Sequence, residues 1–130
     1  MATQKGLRYN QGKIKWSLVY FKGLESMVRV LMYGAHKYSI FKNKKGKLIK
    51  GIDISLEQAS KLTLIESGAD NWRKGLNRKE ILESQMRHLT ALINGEEIDP
   101  ESGQPHQAHI QCNSMFYNYF FDKSIQETKK

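Results

Sequence analysis

A chain of 130 residues, 39% of them hydrophobic, is long enough to bury one core. Its 21 Lys+Arg against 13 Asp+Glu leave a formal net charge of +8, which points to an anionic partner or to a solvated lysine-rich surface. No apolar run approaches the roughly 18 residues of a membrane span, the first residues hold no apolar signal region, and a single cysteine excludes an internal disulfide; a cytoplasmic setting is expected.

Residues 1–18 lack a helical period. Asn10-Gln11-Gly12 is a turn signal, and Arg8, Lys13 and Lys15 alternate with Tyr9 and Trp16. The segment reads as an extended basic-aromatic arm, suited to a phosphate and a base, or as a tail anchored on the core by Trp16. From about 20 to 37, Leu24, Met27, Val28, Leu31 and Ala35 recur at helical spacing, with Glu25 and Arg29 set to pair one turn apart.

Two short alternations around Lys44-Lys45-Gly46, within 39–54, predict a β-hairpin. It carries Lys42, Lys44, Lys45, Lys47 and Lys50, either as a lysine-protected edge or as an electrostatic lid over an anion. Ser55 is a helix N-cap signal, and Leu56, Ala59, Leu62 and Ile65 predict one helical face ending at Gly68. The loop 68–75 is small and basic around Trp72.

Asn77 with Glu80 resembles a capping box and opens a predicted helix over about 78–94, with Leu82, Met86, Leu89 and Ile93 as its apolar stripe and Gly95 as its stop. Glu83 and Arg87 fall one turn apart and read as an ion pair. After the turn 96–104, Pro105 suits the start of a last helix to about 121, burying Ala108, Cys112, Met115, Phe116 and Tyr119. Residues 122–130 read as a frayed tail. The expected organisation is thus a single mainly α domain over 1–130, with the arm at 1–18 and a lysine-rich insertion at 39–69.

The chemistry concentrates between Arg87 and Asn113. His106, His109 and Asn113 share one stripe of the last helix at i, i+3 and i+7, and Arg87 and His88 close the preceding helix. Two imidazoles are a weak metal pattern; they equally suit contact with an anionic ligand. Glu96, Glu97, Asp99 and Glu101 lie in a turn, where they could bind magnesium, cap the last helix or face solvent. Trp72, among Asn71, Arg73 and Lys74, is a stacking platform for a base or a core side chain; Tyr38 beside Lys37 offers a similar pairing. No DNA- or RNA-binding motif is present, so a nucleic-acid polymer is not the expected partner. Cys112, in an apolar helical pattern, reads as a core thiol.

Four pieces carry a family resemblance: RYNQGKIKWSL at 8–18, LESMVRVLMYGAHKY at 24–38, DNWRKG at 70–75 and ILESQMRHLTALINGEEIDPESGQPHQAHIQCN at 81–113. They resemble small, often phage-encoded proteins known as dATP/dGTP diphosphohydrolases, relatives of the MazG-like all-α nucleotide pyrophosphohydrolases. In that family the GAxKY and NW elements are nearly adjacent; here 39–69 lies between them. The resemblance implies a compact MazG-like helical bundle, homo-oligomeric, with a nucleotide between its helices. MazG-like enzymes hold magnesium through ExxE and ExxD helices, whereas here Glu25 has no acid three residues on and the last helix offers His106 and His109.

Two functional expectations follow. In the first, the chain is not an enzyme but binds a phosphorylated nucleotide through Arg8, Lys13, Trp16, Lys37, Tyr38, Asn71, Trp72, Lys74, Arg87, His88, His106, His109 and Asn113. In a phage setting it would be a sponge for a host immune nucleotide signal in the infected cytoplasm. In the second, it cleaves a dNTP to dNMP and pyrophosphate, with Mg2+ or Mn2+ on Glu25, Glu83, Asp99 and Glu101.

Overall fold

The computed structural model describes residues 6–9 and 11–128. Asn10 of the predicted first turn lies outside them, as do 1–5 and 129–130; Gln11 and Gly12 do turn, Gly12 at φ 79°. The arm is not wholly extended, because Trp16–Leu18 form a 3-10 turn, and the start of the predicted first helix, Phe21–Leu24, is a second 3-10 turn rather than α-helix. Helix α1 follows at Glu25–Lys37. It buries Val30, and Met27 and Leu31 beside it, against Ala108, Cys112 and Phe116 of the last helix. This small cluster is the heart of the core. Its small side chains, Ala108 and Cys112, bring the two helices close.

The predicted hairpin is present as β1 (Ile40–Lys42) and β2 (Leu48–Lys50), paired antiparallel with Phe41 opposite Ile49. Asn43 shapes the turn by accepting the Lys45 and Lys47 N–H groups at 2.9 Å, and Gly46 supplies φ 84°. The helix predicted to run on to Gly68 is cut short. Helix α2 is only Leu56–Ser60, held by a complete Ser55–Gln58 capping box. Leu62 and Ile65 do not continue it. Thr63–Glu66 is instead β3, antiparallel to β1 on its other edge, giving the order β2-β1-β3. An open edge offers backbone partners that a frayed helix end cannot, and the branched Thr63 and Ile65 favour a pleated strand. Gly68 is therefore not a helix stop; its role is the close approach described below.

Helix α3 is Arg78–Ile93, capped by Asn77 Oδ1 on the Lys79 N–H at 2.8 Å. It ends through Gly95 at φ 91°, whose N–H reaches the Leu92 carbonyl. Helix α4 is His106–Thr128. The expected fraying from 122 is thus replaced by helix through Thr128, since no proline or glycine interrupts the run after Pro105. The seam between α3 and α4 is polar. Gln85 donates to Ser114 Oγ at 2.8 Å, Asn113 donates to Ser84 Oγ at 3.1 Å, and Ile81 is the buried apolar member. The predicted stripe Leu82, Met86, Leu89 and Ile93 faces away from α4, Ile93 being 76% exposed. Helical spacing located that stripe but could not say which face meets the neighbour. No helix among the described residues is long and apolar enough to cross a membrane.

Candidate functional site

Helices α1, α3 and α4, the 68–72 loop and the 96–104 turn enclose a cleft of about 560 Å³, within the range of small-ligand sites. Its α1 wall depends on one serine and two glycines. Ser39 Oγ donates to the Ala35 carbonyl at 2.6 Å and accepts the Gly68 N–H at 2.9 Å, while its carbonyl accepts the Gly51 N–H at 2.8 Å. A Cβ on Gly51 would strike the His36 carbonyl, and one on Gly68 the Ala35 carbonyl and the Tyr38 backbone. The 39–69 segment is thereby clasped to the end of α1, and the loop carrying Ala69, Asn71 and Trp72 leaves the clasp directly into the cleft wall.

Opposite stand three histidines. His88 of α3 stacks on His109 of α4, with ring centroids 4.4 Å apart and planes 6° from parallel, and its Nδ1 lies 2.8 Å from Nδ1 of buried His106. His106 Nε2 meets Glu96 Oε1 at 2.7 Å. His109 Nε2 lies 2.6 Å from Ser102 Oγ and 3.2 Å from Asp99 Oδ2. Burial, and then the neighbouring His109 and His106, push the His88 pKa down; burial also lowers that of His109, against the pull of Asp99. Ser102, His109 and Asp99 do not form a nucleophilic triad. Serine and carboxylate share one ring nitrogen, whereas a relay needs them on opposite nitrogens.

The acids of the cleft already have partners. Lys37 Nζ donates to Glu101 Oε1 at 2.9 Å; this bond raises the lysine pKa and lowers that of Glu101. Burial and then Glu101 raise the Tyr33 hydroxyl. Burial works against ionised Asp99, but the Glu101 N–H, the Ser102 hydroxyl and the imidazoles prevail and hold its pKa low. Arg87 differs. It lines the cleft without a carboxylate within 4.0 Å among the described residues, so the expected Glu83–Arg87 ion pair is not formed. Cys112 also reaches the cleft wall, its pKa pushed up to about 12 by burial, which makes it a poor nucleophile.

Of the residues singled out in the sequence, Lys37, Tyr38, Asn71, Trp72, Arg87, His88, His106 and His109 come together here, with Asp99 and Glu101. Asn113 sits just behind, bonded to Ser84 of the wall. Lys74 turns to Glu66 at 2.9 Å. Arg8, Lys13 and Trp16 are exposed and outside the cleft. Glu25 pairs loosely with Arg29 on the outer face of α1, and Glu83 is exposed on α3. The sequence reading missed Tyr33, Ser84 and Gly68. Tyr33 was findable, standing one turn before Lys37; Gly68 was not, because its role is a long-range approach.

Trp72 is a wall rather than an open platform. It stacks on Phe116 at 4.5 Å, takes the edges of Tyr119 and Phe120, and has the Arg73 guanidinium 5.0 Å from its ring. Trp72→Ala should accordingly cost about 2 kcal/mol of stability, the lower side of aromatic deletions because the ring is half-buried. Urea unfolding checks this, and an unchanged midpoint would remove Trp72 from the core. The open aromatic is Tyr38, 51% exposed, with Lys37 Nζ 5.5 Å from its ring.

Two-metal phosphoryl chemistry needs several convergent carboxylates. The cleft offers Asp99 and Glu101, both engaged, while Glu25 and Glu83 point elsewhere; this donor set does not fit a two-metal cage.

Fold and site together define a mainly helical protein with an imidazole-lined cleft of small-ligand size, its two cations Lys37 and Arg87 facing two carboxylates, Asp99 and Glu101. Residues 3–130 match the family model described as dATP/dGTP diphosphohydrolase, N-terminal, and the chain belongs to that family. A dATP/dGTP diphosphohydrolase of Salmonella phage PMBT28 is 27% identical over 111 residues, covering 85% of this chain and 28% of that protein. The chain thus spans little more than a quarter of that relative's length. No solved structure matches it.

Proposed function

We propose that this chain binds a purine nucleotide in the cleft and holds it without cleaving it. The observation that carries the reading is the state of the charged groups: Arg87 has no carboxylate partner among the described residues, while both cleft carboxylates are already engaged. A cation of this kind suits a phosphate. Tyr38 and the Asn71 side chain supply a face and an amide for the base. The name of the family supports dATP or dGTP as ligands. In an infected bacterial cytoplasm, holding a host signalling nucleotide in this way would amount to sequestration. We read the bundle as MazG-like, with its ligand between helices. The family name favours a second reading, in which Asp99 and Glu101 take a magnesium or manganese ion arriving with the nucleotide phosphates, and dNTP plus water gives dNMP plus pyrophosphate.

The two readings separate by product. The chain is incubated with dATP, dGTP, ADP-ribose and a cyclic dinucleotide, with Mg2+ or Mn2+, then heat-denatured, and the released nucleotide is chromatographed. Intact nucleotide in stoichiometric amount is expected; monophosphate and pyrophosphate would establish the second reading instead. Arg87→Ala should weaken dATP binding about tenfold, the loss of one charge-assisted hydrogen bond, with a melting temperature close to the parent's. Unchanged affinity by calorimetry would move the phosphates away from α3.

A further inference from the structure

More than half of the chain's net charge sits on one hairpin. Residues 40–50 hold Lys42, Lys44, Lys45, Lys47 and Lys50 and no acid, +5 against +8 for the whole chain. All five are exposed, and none has a carboxylate within 4.0 Å among the described residues. The one carboxylate of the three strands, Glu66, is taken by Lys74 at 2.9 Å. None of the five lysines lines the cleft, so they form a patch separate from it.

The backbone holds these charges in a fixed arrangement. Lys42 pairs with Leu48 and Ile40 with Lys50, so Lys42 and Lys50 stand diagonally on one face, their Cβ atoms about 7–8 Å apart. Phe41 and Ile49 share the other face, where Phe41 is buried. Strand β3 stops opposite Lys42, so 43–47 projects beyond it as a two-stranded tip, set by the bonds from Asn43 to the Lys45 and Lys47 N–H groups. Protection of a strand edge accounts for Lys50 on an outer strand. It does not account for Lys42 on the central strand, or for Lys44, Lys45 and Lys47 in the turn.

We propose that this hairpin binds duplex DNA through its phosphates, without regard to sequence. Charge complementarity selects the occupant: unpaired ammonium groups in close array match a surface with one negative charge per about 1.7 Å of axis. Lysine is a point charge rather than a planar fork, and phosphate contacts need no base-reading motif, in keeping with a chain that has none. The dimensions agree as well, since a major groove about 12 Å wide admits a two-stranded ribbon. A membrane surface matches less well. The hairpin's one aromatic ring, Phe41, is buried, which leaves no aromatic side chain to enter the headgroup layer. Because the patch lies outside the cleft, this binding stands apart from the nucleotide reading.

Fluorescence anisotropy of a labelled duplex of about 20 base pairs should show binding by the full chain at 50 mM salt, with a log–log salt slope of about −4 for four or five phosphates, hence a loss of roughly a few hundred-fold by 200 mM. Lys44→Gln, Lys45→Gln and Lys47→Gln together should at least halve that slope and weaken binding at 50 mM salt at least tenfold. The matching Lys→Arg triple, which keeps the charge, should bind like the parent. Lys22→Gln, Lys79→Gln and Lys123→Gln together remove the same charge from exposed sites elsewhere and should leave the slope near −4. Far-ultraviolet dichroism checks the fold of each triple. No duplex binding at 50 mM salt, equal losses in the two glutamine triples, or partition onto phosphatidylserine vesicles in place of the duplex would each overturn the proposal.

Discussion

Gly51→Ala should unfold about 10 °C below the parent protein. The added Cβ would fall on the His36 carbonyl, and Gly68→Ala would fall on the Ala35 carbonyl and Tyr38 backbone. In both cases the obstacle is main chain, so no side chain can swing aside. The α1 end itself must move, although His36 Nε2 ties it to the Ile54 carbonyl at 2.8 Å and Ser39 ties it to both glycines. Overpacking of this kind costs about 3 kcal/mol, and each kcal/mol shifts the midpoint of a domain this size by about 3–5 °C. Gly34→Ala is the contrast. Gly34 lies within α1 with open space where its Cβ would stand, so alanine should raise stability by about 0.5–1 kcal/mol through helix propensity. Thermal melts of the three variants decide it; a Gly51→Ala chain that melts with the parent would show that the clasp is not closed as described. Gly68→Ala should also reduce nucleotide affinity, since the loop bearing Asn71 starts there.

These glycines mark the boundary of what the sequence discloses. Elements whose signals are local were legible: the Lys44–Gly46 hairpin turn, the Ser55 cap, the Asn77 cap and the Gly95 stop. Elements decided by a distant neighbour were not. The run from Leu62 to Ile65 has helical spacing, yet the free edge of β1 makes it a strand. Leu82, Met86, Leu89 and Ile93 have the spacing of a buried stripe, yet the polar Ser84, Gln85 and His88 meet α4 instead. The cleft was legible in outline, because residues one turn apart on α4 must share a face, and His106 and His109 do. Which charges were free was not legible: Arg87 looked paired with Glu83, and the alternatives open for Glu101 did not include its bond to Lys37, 64 residues away.

The same geometry changes what the imidazoles can do. Glu96 as a carboxylate can only accept, so His106 Nε2 carries a proton. A neutral His106 then has a bare Nδ1, and His88 Nδ1 donates to it. His88 Nε2 is left as a lone pair. The Ser102 hydroxyl donates to Asp99, so His109 Nε2–H donates to Ser102 and its Nδ1 is bare. At neutral pH the free ring nitrogens of His88 and His109 are acceptors. A phosphate at either nitrogen must bring a proton with it. Affinity for dATP should therefore rise as pH falls from about 8 to 6, by up to about tenfold per pH unit for each proton taken up. Stability of the free protein should move the other way. Burial lowers both pKa values in the folded state, so below about pH 6.5 the unfolded chain binds more protons and stability falls. It falls again in stronger acid, as the folded Asp99 and Glu101, held low by their partners, finally protonate. Calorimetry in two buffers of different ionisation heat counts the protons directly. His88→Gln should flatten the pH dependence of binding; a parent that binds dATP with no proton uptake and equal affinity across this range would place the phosphates on Arg87 and Lys37 alone.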